Sequence, residues 1–147
     1  MNQRKNTLKP KAFTLVELMA IVIILALLAT IASREVGKAI EKTKVTTTKT
    51  NLKLLHGAVT NFYMDTDRYP TEDEGLTVLV EPPVDLPGIE PGGYLETTEL
   101  PRDGWKNEFD YRLDPETGKA FEIISYGADG EEGGEGKNAD LYSTDAF

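Results

Sequence analysis

The chain has 147 residues, with 25 Asp and Glu against 16 Lys and Arg, one His and no Cys, for a formal net charge of −9. That length suits one compact domain, and the missing thiols exclude disulfides, thiolate zinc sites and cysteine nucleophiles. The charge is segregated: residues 1–12 carry four basic and no acidic groups (+4), residues 13–50 five basic and three acidic (+2), and residues 51–147 seven basic and 22 acidic (−15). An acidic bulk of that size argues against nucleic acid as a partner.

The basic opening MNQRKNTLKPKA runs into FTLVELMAIVIILALLATIA at positions 13–32, where only Thr14, Glu17 and Thr30 are not apolar. Twenty helical residues rise roughly 30 Å, about the hydrocarbon thickness of a bilayer. A buried helix of a soluble domain of this size is rarely apolar on every face, and the apolar core of a secretory signal peptide is shorter. Arg4, Lys5, Lys9 and Lys11 precede the run, whereas Arg34 and Glu35 nearly cancel after it. The bias predicts a cytoplasmic N-terminus with the acidic remainder outside. Glu17, inside this span, costs about 2.5–3.5 kcal/mol on permissive insertion scales. The apolar run holds no cation to pair with it, so a partner from another chain is expected.

Lys11-Ala12-Phe13-Thr14-Leu15-Val16-Glu17-Leu18-Met19 resembles the class III signal of type IV pilins and pseudopilins. The resemblance implies that prepilin peptidase removes residues 1–12 between Ala12 and Phe13, that Phe13 becomes a methylated N-terminus, and that Glu17 pairs with the terminal amine of a neighbouring subunit during assembly. The chain departs from the family at two points: Ala12 stands where Gly is usual before the cut, and Arg34 where a helix-bending Pro is usual.

Beyond the span, Ser33 to about Met64 reads as helix, with an apolar row at Leu52, Leu55, Val59 and Phe62 that would face a sheet. Thr46, Thr47, Thr48 and Thr50 are poor helix formers and are expected on the exposed part of this stem. His56 lies beside the row and is read as a packed or surface residue. Pro70 and the preceding Asp65 and Asp67 end the helix. Leu76 to Val80 suits a short helix or strand, and the prolines and glycines of 81–93 make an irregular loop. Residues Glu108–Leu113 alternate, Asp114–Gly118 turn and Ala120–Ile124 return, a hairpin. One long helix on a small antiparallel sheet is an α+β head.

The head resembles the major pseudopilins of type II secretion systems, through Asp67-Arg68-Tyr69-Pro70-Thr71, Glu74-Gly75-Leu76, Gly93-Tyr94-Leu95, Leu100-Pro101 with Asp103 and Trp105, and the tail from Ser125 to Leu141. Where that family reads Asp-Pro-Trp-Gly, this chain has Asp103-Gly104-Trp105-Lys106, with Trp105 expected as a core anchor. The tail 125–147 holds six carboxylates, Asp129, Glu131, Glu132, Glu135, Asp140 and Asp145, against Lys137. Oxygen donors without His or Cys suit Ca²⁺, and Asp129, Glu131, Gly134 and Asp140 fall at relative positions 1, 3, 6 and 12 of an EF-hand-like loop that lacks the flanking helices. The same composition is also a signature of disorder. The resemblance favours calcium: it implies one structural Ca²⁺ held by the side chains of Asp129 and Asp140 and the carbonyls of Tyr126 and Asn138, with Glu131 a weaker candidate.

The expected architecture is therefore a leader at 1–12, a membrane and assembly helix at 13–35, a periplasmic stem at 36–64, and a pilin-like head at 65–147 with a calcium loop at 125–145. The leading function is a structural subunit that stacks through its N-terminal helix into a periplasmic filament promoting export of folded proteins across the outer membrane. The resemblance implies as partners further copies of the chain, minor pseudopilins, prepilin peptidase and an inner-membrane platform with its ATPase; the bacterial inner membrane is the expected location. No phosphate-binding loop is present, and no catalytic constellation is expected. The alternatives are a type IV pilus subunit and a membrane-anchored calcium-binding module that never polymerises.

Overall fold

The computed structural model describes residues 13–83, 93–114 and 116–145, the side chains of 31–34 excepted. The leader expected at 1–12, including Ala12, lies outside the described residues, as do 84–92 of the connector. Helix α1 spans Leu15–Thr66, and the chain divides into two compact units, the first ending at Ala39 and the second beginning at Ile40.

In the first unit, Thr14 caps the helix, its Oγ1 accepting the Glu17 N–H at 3.2 Å. From Leu15 to Leu28 every large apolar side chain is exposed, and the helix Leu15–Thr66 is long and apolar enough to cross a membrane.

In the second unit, Leu52, Leu55, Val59 and Phe62 are each fully buried. Their spacings of three, four and three residues put them on one face of α1. At about 1.5–3 kcal/mol for each buried side chain, this row is the principal apolar contribution of the helix. It shares a core with Leu76 and Leu79 from a 3₁₀ turn at Gly75–Leu79, with Leu95, and with Tyr111, Phe121 and Ile123 from the sheet. The helix stops at Thr66 because Asp67 takes a left-handed conformation with φ 55°. The Tyr111 hydroxyl then donates to the Pro70 carbonyl at 2.9 Å and ties the sheet to the segment after the helix.

The sheet has three antiparallel strands in the order β1 (Asp110–Leu113), β2 (Phe121–Ser125), β3 (Leu141–Tyr142). In the expected hairpin Asp110 faces Ile124 and Leu113 faces Phe121. The short β3 adds Tyr142 opposite Ile124 and Leu141 opposite Ser125. All five residues of β2 are buried because it is the central strand.

Two expectations are corrected. Thr48 is fully buried rather than exposed. Its hydroxyl donates to the Lys44 carbonyl at 2.9 Å and accepts the Gly104 N–H at 2.9 Å, so it docks the loop after Arg102 onto α1. Trp105 is partly exposed and outside the core. The buried member of that motif is Asp103, whose carboxylate accepts the backbone N–H groups of Trp105 and Asn107 and the Ser125 hydroxyl, at 2.8–2.9 Å. Three hydrogen bonds offset the cost of burying that charge.

Candidate metal loop and assembly helix

The loop from Tyr126 to Asp140 leaves the sheet just past Ser125, the last paired residue of β2, and re-enters it at β3. Glycine permits its fold at two close approaches. Gly127 (φ 64°) and Gly134 (φ 95°) are left-handed, and a Cβ at either would lie 2.9 or 2.7 Å from the Asn138 carbonyl oxygen. That carbonyl therefore sits between two backbone segments at the centre of the loop. The Ala128 N–H donates to the Lys137 carbonyl at 2.9 Å, and Asn107 Nδ2 donates to the Gly127 carbonyl at 2.8 Å.

Asp140 enters from the β3 side. Its Oδ2 accepts the Gly133 N–H at 2.9 Å and the Tyr142 hydroxyl at 3.3 Å, whereas Oδ1 is buried and has no hydrogen-bond partner. A buried carboxylate oxygen without a donor is costly, and a hard cation is the kind of ligand that satisfies it. Asp129 Oδ1 accepts the Glu131 N–H at 3.3 Å, and both residues are exposed. Among the described residues no group of three or more His, Cys, Asp or Glu side chains converges. A cation here would rest on one or two carboxylates completed by backbone carbonyls, in keeping with an oxygen-only donor set that includes Asn138.

Glu132 turns the other way, towards Arg112 on β1 at 3.6 Å. Arg112 also donates to the Tyr126 hydroxyl at 2.7 Å, and that hydroxyl donates to Asp110. Burial and the Asp110 carboxylate push the Tyr126 phenol up to about 12. The Tyr126 side chain is thus committed to β1, leaving its backbone as the part available to the loop. Sequence patterning missed this Arg112, Asp110 and Tyr126 group, because charges at alternate strand positions read as solvated.

In the first unit, Phe13 and Glu17 flank the start of α1, and both are exposed. An exposed apolar helix carrying one carboxylate near its N-terminus, together with a head of one long helix on a small antiparallel sheet, defines a pilin-like membrane-anchored subunit. Residues 8–33 match the prokaryotic N-terminal methylation motif, and residues 35–144 match the family model described as type II secretion system protein G. The chain belongs to the protein G family of type II secretion systems.

The chain is 37% identical over 136 residues to the type II secretion system core protein G of Pseudomonas aeruginosa, covering 90% of this chain and 94% of the relative. It is 35% identical over 139 residues to that of Vibrio cholerae, covering 93% of each. Among solved structures, the major pseudopilin of the type 2 secretion system of enterohaemorrhagic Escherichia coli matches with a TM-score of 0.56 at 26% identity, over 69% of this chain and 86% of that one.

Proposed function

We propose that the chain is the major structural subunit of a type II secretion pseudopilus, a membrane-anchored protomer that polymerises into a periplasmic filament promoting protein export. The carrying observation is the presence, in one chain, of an exposed apolar helix bearing Glu17 within the methylation motif and of a head matching protein G from residue 35 to 144. Polymerisation gives the exposed apolar helices protein neighbours and gives Glu17 its cationic partner, the N-terminal amine of Phe13 in an adjacent copy. A module that never polymerised would leave that carboxylate unpaired in the bilayer.

The same reading assigns processing between Ala12 and Phe13 by prepilin peptidase, inner-membrane insertion with the head outside, and association with minor pseudopilins and an ATP-driven platform. It assigns no catalytic role. Glu17→Ala tests it: the chain should remain membrane-inserted and lose filaments, and unaffected filaments would remove the assembly role. Mass spectrometry of assembled material should find a methylated Phe13, and an intact Met1 there would contradict the route.

The loop at 125–145 is proposed to hold one structural Ca²⁺ through the side chains of Asp129 and Asp140 and the carbonyls of Tyr126 and Asn138, with Glu131 the weakest candidate. The unpartnered Asp140 Oδ1 supports this assignment. A bound Ca²⁺ would neutralise part of the tail's charge and fix the loop against β3.

A further inference from the structure

An open groove of about 700 Å³ lies between the 3₁₀ turn at Gly75–Leu79, the segment from Thr98 to Arg102, and the start of β1. Its apolar floor includes Leu76, Val80, Leu100 and Phe109, of which only Leu76 is buried. Glu72, Glu81, Glu99 and Glu108 stand around it. The single cation in the lining, Arg102, is held by Glu108 at 2.7 Å, so it does not offset the others. A trough that is apolar below and anionic at the edge accepts a segment with an apolar strip flanked by cations.

Helix α1 carries such a segment. Lys42, Thr46, Lys49 and Lys53 recur at spacings of four, three and four, and all are exposed. The adjacent stripe, Thr43, Thr47, Thr50 and Leu54, repeats the spacing and ends in a leucine that is 51% exposed. At about 100° per residue these stripes together lie opposite the buried row of Thr48, Leu52, Leu55 and Val59. The face is thus solvent-exposed on the side of α1 opposite the row that packs on its own head. Charge separates in the same sense: residues 36–64 hold five Lys and one Glu (+4), and residues 65–147 hold six basic and 22 acidic groups (−16).

We infer that the groove of one copy docks the Lys42–Leu54 face of a second copy, with the rim carboxylates against the lysines and Leu54 with the threonine methyls over the apolar floor. This inference rests on the pseudopilus-subunit reading and adds to it a contact between head and stem. Like-charged heads repel; a head laid on a neighbour's basic stem alternates the signs, which also makes the contact salt-sensitive.

The chain has no cysteine, so disulfide cross-linking can be read cleanly. Full-length chains carrying Thr50→Cys and Thr98→Cys, one substitution per chain, are co-expressed with the secretion machinery, oxidised and digested. Mass spectrometry should find a linked peptide pair joining positions 50 and 98, which in this mixture arises only between copies. Adding Glu81→Lys and Glu99→Lys to the Thr98→Cys chain should lower its yield about tenfold, and Lys42→Glu with Lys49→Glu in the other chain should restore it. Filaments seen by electron microscopy without the linked pair, or a yield unmoved by charge reversal, overturn the docking inference alone. Absence of filaments from the unsubstituted chain overturns the subunit reading beneath it.

Discussion

Arg68 grips Glu74 with both ends of its guanidinium, at 2.7 Å to Oε2 and 2.8 Å to Oε1. The same carboxylate accepts the Thr71 N–H at 2.9 Å, while Thr71 Oγ1 accepts the Glu74 N–H at 3.3 Å, a reciprocal pair that closes the turn at 72–74 just before Gly75. The Arg68 bond foremost, with help from Thr71, holds the Glu74 carboxyl at about 2 against an ordinary 4.5. A depressed carboxyl stabilises the fold fully above its unfolded value, and that stability is lost as pH falls towards the folded one. The Arg68 and Glu74 side chains are 35% and 26% exposed, so solvent screening keeps the contribution of the pair to about 1 kcal/mol. Glu74→Gln should lower the melting midpoint at pH 7 by about 4–8 °C. The two melting curves should converge as pH is lowered from about 4.5 to 2; a gap that persists at the acid end would show that the loss was not electrostatic.

Calcium should raise the melting temperature of the full chain in detergent, and a chelator should reverse the gain. At 100 times the dissociation constant the expected stabilisation is about 2.7 kcal/mol. Asp140→Asn should abolish the calcium-dependent shift, since it alters the carboxylate whose Oδ1 has no other partner. Glu131→Gln should reduce it least. A midpoint indifferent to calcium would reject the loop as a metal site.

Gly104 and Lys106 should respond to substitution in opposite directions. A Cβ at Gly104 would lie 2.2 Å from the Lys44 carbonyl oxygen, with no flexible side chain to yield. Gly104→Ala is therefore expected to cost about 2 kcal/mol or more. Lys106 has a φ of 76°, where a side chain costs about 1–2 kcal/mol and glycine forfeits about 0.5–1 kcal/mol of chain entropy. Lys106→Gly should thus gain about 0.5 kcal/mol. Urea titration of both variants checks the pair, and a stabilising Gly104→Ala would show that the loop does not sit against α1.

Tyr111→Phe should cost about 1–1.5 kcal/mol, the net worth of a buried hydrogen bond, because it leaves the Pro70 carbonyl without its donor. Hydrogen exchange should show the loss concentrated between β1 and the segment after α1; a uniform loosening of the head would count against that local role.

Periodic and chemically unusual features were legible in the sequence. Leu52, Leu55, Val59 and Phe62 declared the buried face by spacing alone, and Glu17 stood out because nothing within its own span could neutralise it. The hairpin followed from alternation on either side of a turn. Less legible were features set by distant residues. Thr48 reads as an exposed, weak helix former, and its burial depends on Gly104, 56 positions later. Trp105 suggested a core anchor by size, yet Asp103 occupies the interior because three donors converge on it. Strand β3 is two residues long, too short for any period to register. In the tail, composition marked the carboxylates but could not separate Asp140, bonded to the Gly133 N–H and the Tyr142 hydroxyl, from Glu132, drawn to Arg112.

The bond from Gly104 to Thr48 has a bearing on folding order. A proline at position 104 would narrow the unfolded ensemble of the loop, whereas glycine widens it, and a proline would have no N–H for Thr48 to accept. The turn around Trp105 is shaped within its own segment by the Asp103 carboxylate, which accepts the Trp105 and Asn107 N–H groups, and its seat on the head is set by Thr48 of α1. Docking of residues 102–107 onto the head, as distinct from their local turn, requires α1 to be wound around Lys44 and Thr48, which makes the Gly104 N–H a reporter of a completed head.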